Sequence, residues 1–234
     1  MKPTAPPGKE TNTTPPSQNE MTIQQALELA TKHHNAGNLS TAEKIYRKIL
    51  KADPKHAISL QFLGVISHQT GQNAMARKLI RRALAINPRL AGAHNNLGVV
   101  LQSDGKLEHA LQSFQQSISL KPNEADPFNN MGTALHRLKR LDEALESFQQ
   151  ALSISPNFAA AHNNLGLLLT DMGKFEAAIA SYQNAIAANP NFADAHNNLG
   201  GALYQLKKGG AAIESYKAAI SLQSNHSTAH KNLG

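Results

Sequence analysis

Histidine is the side chain in this sequence best suited to binding a metal ion, and the chain contains 11 of them. Four share one position in a regular series, namely His94, His162, His196 and His230. Leu60 and Phe128 occupy the same position elsewhere in that series, which indicates packing rather than ligation. Helices packed side by side lie about 10 Å apart, whereas a histidine nitrogen that binds zinc lies about 2 Å from the metal. We therefore expect neither a metal site nor a cofactor.

Paired carboxylates could perform acid and base catalysis, which requires a converging set of groups. The notable acids instead fall at positions that we expect to be exposed on helices, namely Asp142, Glu143, Glu146, Glu176 and Glu214. The chain has no cysteine to serve as a nucleophile, and it has no phosphate-binding loop of the G-x-x-x-x-G-K type. We therefore predict that this chain is not itself an enzyme.

Asparagine side chains also recur at a fixed interval, and they could bind a polypeptide main chain. The series is Asn96, Asn130, Asn164, Asn198 and Asn232, and Asn95, Asn129, Asn163 and Asn197 directly precede its first four members. We call these nine residues the asparagine file. A primary amide both donates and accepts hydrogen bonds, so it can bind a peptide backbone whatever side chains that peptide carries. The asparagine file is our candidate peptide-binding site.

A period of 34 residues underlies both series. Pro54, Pro88, Pro122, Pro156 and Pro190 are 34 residues apart, and Ser224 takes the next place. Six units follow at 21–54, 55–88, 89–122, 123–156, 157–190 and 191–224, and a partial seventh covers 225–234. A period of this size is typical of stacked helix-turn-helix units. Residues 1–20 are rich in proline and threonine and have no apolar run, which predicts a disordered tail.

Small and bulky residues recur at fixed offsets within each unit, which predicts two closely packed helices per unit. Alanine occupies one offset in all six units, at Ala42, Ala76, Ala110, Ala144, Ala178 and Ala212. Glycine occurs earlier in the last five, at Gly64, Gly98, Gly132, Gly166 and Gly200. A bulky residue follows each alanine, at Tyr46, Ile80, Phe114, Phe148, Tyr182 and Tyr216. We expect the proline to end the second helix, because it lacks an N–H group and clashes with a continuing turn.

These landmarks resemble those of the tetratricopeptide repeat family over residues 21–234. The resemblance implies an all-α fold, a right-handed superhelical solenoid of antiparallel helix pairs. It also implies a protein interaction scaffold whose first helices line a concave face and bind an extended polypeptide there. Neighbouring first helices about 10 Å apart match about three residues of extended peptide at roughly 3.3 Å each. Asparagine at this offset could equally be structural or solvated, and the sequence leaves both interpretations open.

The run Ala-His-Asn-Asn-Leu-Gly at 93–98, 161–166 and 195–200 resembles the repeat region of protein O-GlcNAc transferases and SPINDLY-like bacterial proteins. This resemblance implies an alternative function, a recognition arm whose asparagines guide a substrate polypeptide to a glycosyltransferase domain. The nucleotide-sugar site and the catalytic residues of that family have no counterpart in this chain. The sequence stops within the first helix of the seventh unit, so we expect a fragment whose intact protein could be a glycosyltransferase.

Basic residues are concentrated near the start of the repeats. The formal net charge is +7, yet residues 21–90 alone hold eleven Lys and Arg against three acids. The basic block consists of Lys44, Arg47, Lys48, Lys51, Lys55, Arg77, Lys78, Arg81 and Arg82. We expect it on a solvated outer face, with an acidic partner as the alternative, and we do not expect nucleic-acid binding because few aromatic residues accompany it. The absence of cysteine and of a long apolar run predicts a cytoplasmic protein without a membrane segment.

Overall fold

The computed structural model describes residues 21–233, and all regular secondary structure in this range is α-helical. The helices are α1 (Ile23–Asn35), α2 (Leu39–Ala52), α3 (Ala57–Gln69), α4 (Asn73–Ile86), α5 (Ala91–Ser103), α6 (Leu107–Leu120), α7 (Ala125–Arg137), α8 (Leu141–Ile154), α9 (Ala159–Asp171), α10 (Phe175–Ala188), α11 (Ala193–Gln205), α12 (Gly209–Leu222) and α13 (Ser227–Leu233). The prediction of an all-α fold is confirmed. The disordered tail predicted for residues 1–20 lies outside the described residues.

The chain divides after Pro54 into two compact units. In the first unit α1 packs against α2, and α1 begins at a capping box. Thr22 Oγ1 accepts a hydrogen bond from the Gln25 backbone N–H at 3.2 Å, and Gln25 Oε1 accepts one from the Thr22 backbone N–H at 2.9 Å. The second unit contains α3 to α13. Its odd-numbered helices are the first helices of successive repeats, and its even-numbered helices are the second helices.

Glycine lets the two helices of a repeat approach each other closely, as the sequence predicts. A β-carbon at Gly98 in α5 would lie 2.4 Å from Cε1 of Phe114 in α6, a distance that no real side chain tolerates. The ring of Phe114 is fully buried, as is Ala110 one turn earlier. The same contact recurs at Gly166 and Tyr182, where the distance would be 2.5 Å. An aromatic ring of the second helix therefore packs directly on the glycine backbone of the first.

Apolar clusters connect each repeat with the next one in the second unit. One cluster combines Leu101, Ala110, Phe114 and Ala134, which come from α5, α6 and α7. A second helix thus packs both on its own partner and on the first helix of the following repeat. Since each helix is amphipathic and short, this sharing supplies the burial that a single pair lacks. The helices of residues 21–233 have at most 14 residues, and none of them could cross a membrane.

The turn inside each repeat needs a left-handed backbone at a fixed position. Gly71, Gly105 and Gly173 have φ between 72° and 78° there, which glycine adopts without a β-carbon clash. Lys139 and Lys207 occupy the same position in two repeats, with φ of 61° and 58°. An L-residue pays roughly 1–2 kcal/mol for this conformation, so these two turns are the strained ones. The second helices end two residues before each repeat's proline.

Candidate functional site

The asparagine file lies on the first helices of the second unit. It occupies adjacent positions in α5, α7, α9 and α11, and Asn232 continues it in α13. Each of these helices contacts the first helix of the next repeat, whereas the second helices within the described range make no comparable contact with one another. The first helices are therefore closer together than the second helices. This spacing places the first helices on the concave side of the second unit.

Hydrogen bonds connect the asparagines of successive repeats. The second asparagine of each repeat donates from Nδ2 to Oδ1 of the first asparagine in the preceding repeat. The pairs are Asn130 to Asn95 at 3.0 Å, Asn164 to Asn129 at 3.0 Å, Asn198 to Asn163 at 3.0 Å and Asn232 to Asn197 at 3.1 Å. One amide N–H group of each donor is therefore used within the protein. Sequence periodicity alone did not reveal this bonding, because it does not show which atoms of neighbouring helices come within reach.

The burial of the asparagine file differs from the expectation of exposed amides. Asn129, Asn163 and Asn197 are buried, with 7%, 6% and 6% of their surfaces exposed. Asn130 and Asn164, their successors in the sequence, are half-buried. The first asparagines are buried because they accept the bonds between repeats, which places them in the seam between two helices. The second asparagines retain one N–H group and an amide oxygen beyond the bond between repeats.

Asn96 differs from the other second asparagines. The equivalent acceptor position in the preceding repeat is held by Gln61 instead of asparagine. Within residues 21–233 the structure shows no hydrogen bond from Asn96 to Gln61. Asn96 is half-buried like Asn130. It therefore carries the same amide at the same place without the bond between repeats.

The recurring histidines hold the turns between repeats. Each donates from Nε2 to a backbone carbonyl six residues earlier, since a carbonyl oxygen can only accept. The pairs are His94 with Pro88 at 2.9 Å, His162 with Pro156 at 2.8 Å, His196 with Pro190 at 3.1 Å and His230 with Ser224 at 2.8 Å. Among the described residues no cluster of three or more His, Cys, Asp or Glu could hold a metal ion. The histidine position is thus structural, by hydrogen bonding as well as by packing.

Two further histidines cap helices, a role that the sequence analysis missed. His56 Nδ1 accepts from the Ser59 backbone N–H at 3.3 Å, and His226 Nδ1 accepts from the Ala229 backbone N–H at 3.1 Å. His56 and His226 share one offset in the 34-residue series, and this spacing was the available signal. Leucine, glutamate and phenylalanine occupy the offset elsewhere, which obscured it.

One member of the basic block is not simply solvated. Arg77 in α4 forms an ion pair with Asp104, which directly follows α5, and both side chains are largely buried, with 23% and 17% exposed. Asn73 Nδ2 donates to the same carboxylate at 2.9 Å. The expectation of an outer solvated face is therefore wrong for Arg77, because its charge joins two repeats. Lys78 and Arg81 are exposed as expected.

The acids weighed for catalysis are engaged in surface ion pairs. Arg140 donates to both oxygens of Glu143, from Nε at 2.6 Å and from Nη2 at 2.5 Å. This bidentate hydrogen bond lowers the pKa of Glu143 below its ordinary value. Asp171 accepts from His136 Nε2 at 2.9 Å and from Lys139 Nζ at 3.3 Å. The hydrogen bond from His136 is the main cause of the lowered pKa of Asp171, and the Asp171 carboxylate connects α7 with α9.

Models of the tetratricopeptide repeat match nearly all of the repeat region. Those described as TPR repeat match residues 134–173 and 166–207, and those described as tetratricopeptide repeat match 27–91, 91–124 and 193–226. Together these matches cover more than half of the chain. No curated protein matches the sequence significantly.

Several solved structures share the fold. A chain of the APC/C hetero-tetramer Cut9-Hcn1 matches 90% of this chain with a TM-score of 0.84 and 19% identity, and 42% of its own length is covered. Pseudomonas aeruginosa pilF matches 89% of this chain, and 95% of its own, with a TM-score of 0.76 and 21% identity. YrrB, described as a TPR protein with an unusual peptide-binding site, matches 80% of this chain, and 96% of its own, with a TM-score of 0.58 and 22% identity. The 34-residue period, the helix pairs of the described range and these matches show that the chain belongs to the tetratricopeptide repeat family.

Proposed function

We propose that the chain is a protein interaction scaffold that binds an extended polypeptide along the concave side of its second unit. The asparagine file supplies the hydrogen bonds to the main chain of that polypeptide. The observation that carries the proposal is the recurrence of half-buried amides on first helices after the bond between repeats is made. Asn130, Asn164 and Asn198 each retain an N–H group and an oxygen with which to bond a peptide.

A purely structural role is the competing interpretation, because the same asparagines join the repeats. Replacing Asn164 would weaken a peptide complex under the proposal, but it would also remove the bond to Asn129. Asn96 separates the two effects, since it has the offset of the file without that bond. A variant at Asn96 should reduce peptide binding and leave stability nearly unchanged.

The experiment uses the full 234-residue chain as bait for a phage-displayed library of random linear dodecapeptides. Enriched peptides are synthesised with a fluorescent label, and their affinities are measured by fluorescence anisotropy against the wild type, Asn96→Ala and Asn130→Ala. Asn184→Ala is the matched control, because Asn184 is an exposed asparagine on the second helix α10. Circular dichroism checks that each variant keeps its helices.

We expect the two file variants to bind each peptide at least several-fold more weakly than Asn184→Ala does. A hydrogen bond in such an interface contributes about 0.5–1.5 kcal/mol, which corresponds to a several-fold change in affinity. Equal affinities in all variants would remove the asparagine file from the binding surface. A library without any enriched peptide would contradict the proposed function as a whole.

The alternative proposal is a substrate-recognition arm of an O-GlcNAc-transferase-like glycosyltransferase. It uses the same asparagine file, so the peptide experiment does not distinguish it from a free-standing scaffold. Reading the gene beyond the codon for Gly234 does. A two-lobed glycosyltransferase domain there would support the alternative, and a stop codon or an unrelated domain would remove it.

A further inference from the structure

A groove of about 290 Å³ opens on the first-helix side among α9, α11 and α13. Its walls include Leu167, Thr170, Asn198, Gly201 and Asn232. None of the ten residues that line it is an Asp, Glu, Lys, Arg or His. The groove is therefore electrostatically neutral, although the chain as a whole is charged.

Gly201 creates much of this space. The same offset carries Val65, Val99, Thr133 and Leu167 in the four preceding repeats, so repeat six alone among these five has no side chain there. A β-carbon at Gly201 would have Tyr216 Oη, at 4.0 Å, as its nearest neighbour. At Gly200, by contrast, a β-carbon would lie 2.6 Å from the ring of Tyr216. Helix packing thus requires Gly200 to be small but places no such demand on Gly201.

An exposed aliphatic surface borders the gap. Leu167 in α9 has 38% of its surface exposed, and it lines the groove together with Ala202. The hydroxyl groups behind them are already paired. Thr170 Oγ1 donates to the Gly166 carbonyl at 2.9 Å, so its contact with Tyr182 Oη at 3.1 Å has the tyrosine as donor. The floor therefore offers apolar contact and no free hydroxyl proton.

Amides stand beside this apolar floor. Asn198 and Asn232 each use one N–H group for a bond to the preceding repeat, at 3.0 Å and 3.1 Å. Their remaining N–H groups and the exposed amide of Gln205, which also lines the groove, suit the main chain of a peptide. The groove thus combines backbone-binding groups with a neutral gap of side-chain size.

We infer that this groove is a specificity-determining subsite that accepts one aliphatic side chain, such as Leu, Ile, Val or Met, from the bound polypeptide. The inference rests on the proposed function and names its preferred ligand chemistry. A charged side chain would lose its hydration in the neutral groove without gaining a partner. An aliphatic one would bury its surface against Leu167, Ala202 and the backbone of Gly201.

Filling the gap tests the inference. Gly201→Leu gives repeat six the side chain that repeat five carries at this offset. Val99→Leu is the matched control, because it enlarges the side chain at the same offset on α5, away from the groove. Both variants should stay folded, since leucine is a better helix former than glycine or valine, and thermal melts followed by circular dichroism check this.

The full chain and both variants are used as bait for the same phage-displayed dodecapeptide library, and the enriched sequences are compared. We expect the wild type and Val99→Leu to select peptides with an aliphatic residue at one position. Replacement of that residue by Ala, or the Gly201→Leu substitution in the protein, should weaken binding by about tenfold or more, because a buried aliphatic side chain contributes about 1.5–3 kcal/mol.

Each outcome decides a different point. Peptides that bind without a preferred aliphatic position, or that bind Gly201→Leu equally well, would overturn the subsite and leave the proposed function standing. A wild type that enriches no peptide would overturn both. Concentration-dependent dimerisation of the wild type that Gly201→Leu abolishes would mean that a second copy of this chain fills the groove, and would likewise overturn the inference.

Discussion

Nδ2 of Asn164 in α9 donates a hydrogen bond of 3.0 Å to Oδ1 of Asn129 in α7, whose side chain is 7% exposed. The bond is one of a directional series in which each donor belongs to the later repeat. A buried amide oxygen that loses its donor keeps the cost of its desolvation. The stability of the second unit should therefore respond to these side chains before any ligand is considered.

Replacing Asn164 by Ala should lower the free energy of unfolding by about 1–3 kcal/mol, because Asn129 Oδ1 is left buried without this donor. Chemical denaturation followed by circular dichroism measures the change. Asn96→Ala is the control, as it removes an equivalent amide without removing a bond between repeats. Equal losses in the two variants would show that the bond itself contributes little.

The glycines of α5 and α11 should respond in opposite directions to the same substitution. Gly98→Ala places a β-carbon 2.4 Å from Cε1 of Phe114, and the resulting displacement should destabilise the protein by about 1–3 kcal/mol. Gly201→Ala meets nothing closer than 4.0 Å and should stabilise its helix by up to about 1 kcal/mol. Thermal melts of both variants test the pair. Destabilisation by Gly201→Ala would mean that the gap is needed for packing.

Ion pairs should differ in importance according to their burial. Asp104→Ala removes the partner of Arg77 and an acceptor of Asn73, both in a largely buried setting, and should cost about 1–3 kcal/mol of stability. Glu143→Ala breaks the exposed pair with Arg140, and its melting temperature should match the wild type, because water solvates both charges. A large effect of Glu143→Ala, or none of Asp104→Ala, would contradict this ranking.

Tyrosine burial should make the protein sensitive to alkaline pH. Burial raises the pKa of Tyr182 from 10.0 to about 12, and it also raises the pKa of Tyr46 and of Tyr216. Because the unfolded chain loses these protons more readily, the stability that they contribute is complete below about pH 10 and is lost as the pH rises through about 12. Denaturation midpoints across this range measure the slope.

Tyr182→Phe should flatten that slope, because phenylalanine cannot ionise. Tyr204→Phe is the matched control, since Tyr204 is 66% exposed. Both variants should show ordinary stability near neutral pH apart from the hydrogen bond that Tyr182 makes with Thr170. An unchanged slope in Tyr182→Phe would assign the alkaline sensitivity to other groups.

The fold was predictable because each landmark has a local reason to recur. Proline ends a helix in any context, and a glycine opposite a bulky residue implies close packing, so Pro88, Gly98 and Phe114 indicated the helix pair and its contact. The asparagine positions were also visible, but their bonding was not. The distance between Asn129 and Asn164 depends on how two repeats stack, and 35 residues of sequence separate them.

The histidines show the same limit. The occurrence of Leu60 and Phe128 at their offset indicated packing, yet the acceptor of His94 is a backbone carbonyl of Pro88, which leaves no mark in the side-chain pattern. Arg77 was expected in solvent because its neighbours are basic. Its partner Asp104 comes from the following repeat, and only the folded chain brings the two together.

The direction of the asparagine bonds makes the repeats of the second unit interchangeable parts. Every internal repeat presents a donor to its predecessor and an acceptor to its successor, in the same geometry. If residues 123–156 were deleted, Asn164 would come to face Asn95, and the series would close without an orphaned amide. The length of the array could therefore change by whole repeats in evolution while every remaining junction kept its hydrogen bond.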